Sequence, residues 1–153
     1  MNIAVTGIGV VSPAGVGVEP LARAMAQAAA AGEPVAGRAA FGREALARAG
    51  DRVDRMDRSC QLALVAALGA YEQSGLTSER TAVVFGSAYA SLLVNQRFFE
   101  KIVSRGARFA DPKRFPYTSP NVAGGEVAIA LQLRGPNVSL TSGWHSGLSA
   151  LIT

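Results

Sequence analysis

The sequence predicts one α/β domain over residues 1–153, built on a parallel-rich sheet with helices on both faces. Three observations lead there. Short runs rich in Val and Ile, at 2–6, 8–11, 81–85 and 137–141, have the length and composition of buried strands. Ala-rich or amphipathic stretches separate them, and strands alternating with helices form parallel sheets covered on both sides. No internal repeat and no low-complexity linker divides the chain.

The elements follow in order. Residues 2–6 and 8–11 read as a buried strand interrupted by Gly7 and Gly9, and Ser12-Pro13-Ala14-Gly15 is a loop. Residues 19–30 are helix-favouring and end near Gly32. Residues 31–52 have no clear period and read as an irregular, partly helical surface segment. Residues 55–74 are the strongest helix: Met56, Cys60, Leu64, Ala67 and Tyr71 form one apolar stripe, and Gly75 supplies the C-cap. Residues 81–85 are a strand, and 89–104 a helix whose apolar residues include Leu92, Leu93, Phe99 and Ile102. Residues 106–117 form a loop. A short helix follows, with Ser119 as N-cap and Pro120 at its first position. After the strand at 137–141, Ser142-Gly143-Trp144-His145-Ser146-Gly147 turns sharply into a last helix.

Composition limits the function classes. Hydrophobic residues are 49% of the chain and charged residues 17%, which excludes a disordered or solvating segment. So apolar a short domain reflects either a large interface or an Ala-rich composition. The net charge is +4, but the Arg residues with Lys101 and Lys113 are scattered and no aromatic–basic interleaving appears. A generally basic surface, or an acidic protein partner, fits better than nucleic acid. The single cysteine, Cys60, permits no internal disulfide and no cysteine metal cluster. The N-terminus has no signal-peptide pattern and no apolar run reaches membrane-spanning length, so a cytoplasmic location is expected.

Each candidate for chemistry meets an objection. Gly7-Ile8-Gly9 after a strand is similar to a dinucleotide fingerprint, but the third glycine and the downstream acidic residue are absent. A glycine turn that packs the strand is the simpler reading. Cys60 lies inside a helix on its apolar stripe, where a structural thiol belongs. His145, the only histidine, sits near a helix N-terminus, where the dipole disfavours imidazolium. Ser142 and Ser146 flank it without the G-x-S-x-G elbow of a serine hydrolase. The strand–turn–helix still presents one residue at its bend, and that residue is Trp144. Indole is neither a nucleophile nor a base at neutral pH.

Several blocks, in order, resemble the β-ketoacyl synthase family. They are residues 4–15; Arg55-Met56-Asp57-Arg58 with the helix to Gly75; Val84-Phe85-Gly86-Ser87; and residues 119–137, ending in Arg134-Gly135-Pro136-Asn137. Only residues 20–50 lie outside the likeness. The family carries its nucleophilic cysteine eight residues after the proline of Gly-Pro, which here is Trp144. The resemblance implies half of a thiolase-like fold, a parallel-rich mixed sheet truncated after the active-site elbow. The family's catalytic histidines, lysine and gating phenylalanine belong to a C-terminal half outside this sequence. No catalytic residue, cofactor or metal is therefore expected in this chain.

The resemblance also implies a role. In type II polyketide systems an active ketosynthase pairs with a cysteine-less homologue, the chain-length factor, in which glutamine usually replaces the cysteine. By that likeness Tyr89, Leu92, Leu93 and Gln96 line the acyl tunnel, and Phe115 and Tyr117 reach toward the partner's acyl site. Val138, Ser139, Leu140 and Thr141, with Trp144, form the dimer interface. The partner is a catalytic ketosynthase, in a heterodimer or a dimer of heterodimers. Acyl carrier protein is an indirect partner; nucleic acid and membrane are not partners. A piece of a complete synthase inactivated at Trp144, and an autonomous acyl-binding protein, are the alternatives.

Overall fold

The computed structural model describes residues 3–77 and 80–153. Asn2, the first residue of the expected opening strand, lies outside them. Its elements are β1 (Val11–Ser12), β2 (Gly15–Val16), α1 (Val18–Ala31), α2 (Arg58–Ser74), β3 (Val83–Gly86), α3 (Leu92–Arg105), α4 (Val122–Leu131), β4 (Asn137–Leu140) and α5 (Ser146–Ile152). The segment Arg43–Asp54 coils as 3-10 helix kinked at Gly50, and shorter 3-10 turns occupy Ala107–Phe109, Phe115–Thr118 and Gly143–His145.

The core forms where α2 crosses α4. The expected stripe on α2 is correct: Cys60 and Leu64 are fully buried, Met56 nearly so, and Ala67 and Tyr71 pack against the cluster. Asp57 caps α2, its carboxylate accepting from the Cys60 N–H at 2.9 Å and the Ser59 hydroxyl at 2.8 Å. Gly32 and Gly75 end α1 and α2 in the left-handed region, as expected. The start of α4 differs from expectation. Ser119 and Pro120 precede the helix, Asn121 is the N-cap, and the Ser119 hydroxyl donates to the Asn121 side chain rather than capping backbone N–H groups.

Strands β3 and β4 pair in parallel, with Val83 opposite Asn137 and Gly86 opposite Leu140. Successive strand residues point to opposite faces. Phe85 meets Gly124 of α4, whereas Gly86 meets the first turn of α5. The small sheet is therefore covered on both faces, as the alternation requires.

The opening strand does not form as expected. Residues 3–10 join no ladder, Ile3 and Val5 are exposed, and only the two-residue ribbon β1–β2 is hydrogen-bonded as sheet. β-Branched residues supply strand propensity but not a partner, and no described segment lies beside them in register. Gly7 and Gly9 instead let this backbone lie directly on α2. A Cβ at Gly7 would stand 2.1 Å from the Ala70 carbonyl oxygen, and one at Gly9 1.7 Å from that of Ala66. The Ile8 N–H donates to Gln73 Oε1 at 2.6 Å. The glycines serve packing, not phosphate binding.

One charge lies inside this core. Glu126 is buried on α4, the most apolar helix, and both carboxylate oxygens are used. Arg52 Nε reaches Oε2 at 2.9 Å, and the Tyr117 hydroxyl donates to Oε1 at 2.9 Å. Glu126 thus ties the Arg43–Asp54 segment and the Phe115–Thr118 turn to α4. Removing one partner of a buried pair leaves the other charge uncompensated. Arg52→Ala, which strands the buried Glu126 carboxylate, is expected to cost about 3–5 kcal/mol in urea unfolding. Gly9→Ala is expected to cost about 1–3 kcal/mol, because backbone carbonyl occupies the space.

Candidate functional site

The site is built where β3 and β4 end together. The Ser87 N–H donates to the Leu140 carbonyl at 3.0 Å, so the ladder continues one residue past β3. Both chains then leave the same edge of the sheet, where parallel α/β folds place their ligand crevices.

After β4 the backbone bends at Gly143, whose φ is 74°. Ser146 staples the bend from inside. Its buried hydroxyl accepts from the Ser142 N–H at 2.9 Å and donates to the Gly143 carbonyl at 2.6 Å. Gly86 permits the bend to dock, since a Cβ there would stand 2.2 Å from the Ser146 carbonyl oxygen. Trp144 projects from the outer side of the bend, 84% exposed.

After β3 the Ser87 hydroxyl accepts from the Ala90 N–H at 2.9 Å, and Ala90 takes a φ of 43°. A non-glycine residue in the left-handed region is held there by its surroundings. The anchor is Ser91. Its buried hydroxyl donates to the Thr118 carbonyl at 2.6 Å, and Asn95 Nδ2 donates to the same oxygen at 3.1 Å. Tyr89 is thereby set against Trp144, edge to face, with ring centroids 5.7 Å apart and planes at 83°.

Behind Tyr89 lies a cavity of about 500 Å³, within the range of small-molecule sites. Tyr89, Leu92 and Leu93 line it, so three of the four residues expected along a tunnel share one wall. Gln96 does not line it. It is exposed, and its Nε2 donates to Glu100 Oε1 at 2.9 Å, one turn farther along α3. Phe115 is exposed, with its ring 6.0 Å from that of Phe98. Tyr117 corrects the expectation: it is buried with its hydroxyl on Glu126 and presents no surface for reaching outward. In β4, Val138 is exposed and Ser139 and Leu140 are half-buried; Thr141, expected as the end of the strand, lies just past it and is exposed. β3 is the strand's only sheet partner among the described residues. Sequence reading missed the basic part of the lining, Arg38, Arg58 and Arg97. These positions lie far apart in the chain and share no motif.

The elbow has the form that presents a nucleophile and carries none. The Ser146 hydroxyl is spent inside the turn, His145 is exposed and its side chain caps nothing, and Trp144 has no acid–base chemistry at neutral pH. Cys60 is remote and fully buried; burial first, then the Asp57 charge, pushes its thiol far above the ordinary range. Burial and the Glu126 carboxylate push the Tyr117 hydroxyl up to about 12. Among the described residues no cluster of His, Cys, Asp or Glu could hold a metal ion, and no helix is long and apolar enough to cross a membrane.

A parallel strand pair opening into a glycine-bent elbow and helix is the N-terminal half of a thiolase-like ketosynthase fold. Residues 26–152 match the family model of the β-ketoacyl synthase N-terminal domain, and the chain belongs to that family. It is 31% identical to a putative polyketide β-ketoacyl synthase 1 of Streptomyces cyaneus, over 98% of this chain and 41% of that protein. It is 26% identical to 3-oxoacyl-[acyl-carrier-protein] synthase 2 of Coxiella burnetii, over 96% of this chain and 40% of that protein. Among solved structures, the ishigamide ketosynthase/chain length factor superposes with a TM-score of 0.77 at 30% identity, covering 97% of this chain and 46% of that one. The chain thus spans less than half the length of each of these relatives.

Two outcomes check the site. Ser146→Ala removes both hydrogen bonds that the buried hydroxyl makes across the bend and is expected to cost about 1–3 kcal/mol in thermal unfolding, whereas Trp144→Ala costs under about 0.5 kcal/mol. Cys60 is expected to resist alkylation at pH 8 in the native protein and to label fully in urea. Because the folded-state values of Cys60 and Tyr117 are raised, stability is expected to hold below pH 9, where an ordinary thiol ionises. It then falls as pH rises through 9 and onward to about 12.

Proposed function

We propose that this chain is a non-catalytic, chain-length-factor-like subunit that pairs with an active ketosynthase and shapes its acyl tunnel. One observation carries the reading. Trp144 stands at the elbow where the family holds its acyl-accepting cysteine, and its ring leans on Tyr89 at the mouth of an acyl-sized cavity. A thioester cannot form on indole, so covalent capture falls to a cysteine on another polypeptide. The contribution left to this chain is shape. Leu92 and Leu93 are more than half exposed on α3, as a wall completed by another surface would be. Strand β4 pairs on one side only, with β3, and offers an open edge of the kind a second subunit covers. The partner is a cysteine-bearing ketosynthase, and the acidic acyl carrier protein meets the assembly through complementary charge.

Co-expression with a cysteine-bearing ketosynthase tests the pairing. The expected result is one co-eluting complex, with this chain insoluble when expressed alone. A soluble monomer that ignores the ketosynthase would contradict the reading. In the complex, Leu93→Trp is expected to shorten the products by one or more extension units, and Leu92→Ala to lengthen them, read by mass spectrometry. Since the chain spans only 40–46% of its relatives, a second reading is a piece of one synthase inactivated at the nucleophile. Under that reading Trp144→Cys restores acylation once the remaining half is supplied.

A further inference from the structure

The cavity behind Tyr89 has two kinds of lining. Tyr89, Leu92 and Leu93 are its apolar part. Arg38 and Arg58 line it too, with Arg97 one turn after Leu93 on α3. None of these three arginines belongs to the five ion pairs among the described residues. Arg58 is held in place: its guanidinium donates to the Ala39 carbonyl and lies 4.2 Å over the Phe41 ring. Neither contact neutralises its charge. The one carboxylate on the lining, Asp57, has an oxygen already occupied by the Cys60 N–H and the Ser59 hydroxyl as the α2 cap. Three cations against one committed anion leave the cavity positive beside a greasy wall.

A plain alkyl chain has no use for three guanidinium groups. They are forked donors matched to carboxylate geometry. We propose that this cavity holds an acyl chain whose far end carries a carboxylate, with the methylenes along Tyr89, Leu92 and Leu93 and the terminal carboxylate among Arg38, Arg58 and Arg97. The inference rests on the tunnel reading for the direction of entry: the thioester end stays toward the elbow and the far end reaches the arginines. It names the substrate class as ω-carboxyacyl chains, made from a dicarboxylic starter unit.

The test compares two esters that differ in one charge. Monomethyl suberate carries a carboxylate at one end and an ester at the other; dimethyl suberate has the same length without the charge. Calorimetric titration of the protein, together with any ketosynthase that co-purifies, is expected to show the monomethyl ester binding at least tenfold more tightly. Arg97→Gln and Arg38→Gln are each expected to weaken it about tenfold while leaving the dimethyl ester unchanged. These arginines line the cavity without lying in the folding core, so circular dichroism should match the parent. Equal binding of both esters would overturn the carboxylate assignment and leave the apolar tunnel standing. Binding of neither ester would overturn it too. In that case an unchanged product length in Leu93→Trp would show that the tunnel reading had failed as well.

Discussion

The site depends on one close backbone approach, that of Gly86 to the Ser146 carbonyl. No side chain fits between them. Glycine at the end of β3 therefore lets the elbow helix seat directly on the sheet rather than a side-chain layer above it. The parallel register brings the ends of β3 and β4 level, so the two loops that follow must lie side by side. That placement brings Tyr89 and Trp144 together. The Ser146 hydroxyl fixes the bend from within, using contacts that are independent of the residue at its tip. An elbow supported this way tolerates replacement of the residue it displays. Chemistry can be lost at Trp144 while the architecture persists.

The cavity wall is positioned from the core by a second set of contacts. Glu126 is a buried charge in an apolar helix, and Arg52 and the Tyr117 hydroxyl satisfy it. Tyr117 belongs to the turn whose Thr118 carbonyl receives Ser91 and Asn95 from the first turn of α3. Packing between α2 and α4 is thereby carried through hydrogen bonds to Leu92 and Leu93. Such a polar relay is costly if half-satisfied and specifying if complete. Here each carboxylate oxygen has a partner, which fixes α3 without covering its outer face.

Much of this was legible in the sequence where local physics decides. The stripe on α2 follows from period alone, and Gly32 and Gly75 mark helix ends because few other residues take a left-handed φ. The elbow was readable from a strand followed by glycine, and the position of Trp144 from spacing after Gly135-Pro136. What escaped was decided by tertiary neighbours. Residues 3–10 have strand composition, but their glycines press them onto α2, and no strand among the described residues pairs with them. Tyr117 sits in a loop with every sign of exposure, yet a carboxylate on the helix that follows draws it inward. Gln96 shares a helix with Leu92 but points past the cavity to Glu100. Arg38, Arg58 and Arg97 come to line one cavity only on folding, and no pattern in the chain announces them.

The central claim is that the elbow is presented and chemically empty, so that any acyl chain is held here by shape and charge rather than by a bond. Intact-mass spectrometry after incubation with an acyl-carrier-protein thioester and a cysteine-bearing ketosynthase addresses it directly. The account requires the acyl mass to appear on the ketosynthase and this chain to keep its own mass. An acyl adduct on this chain, localised to any of its residues, would contradict it.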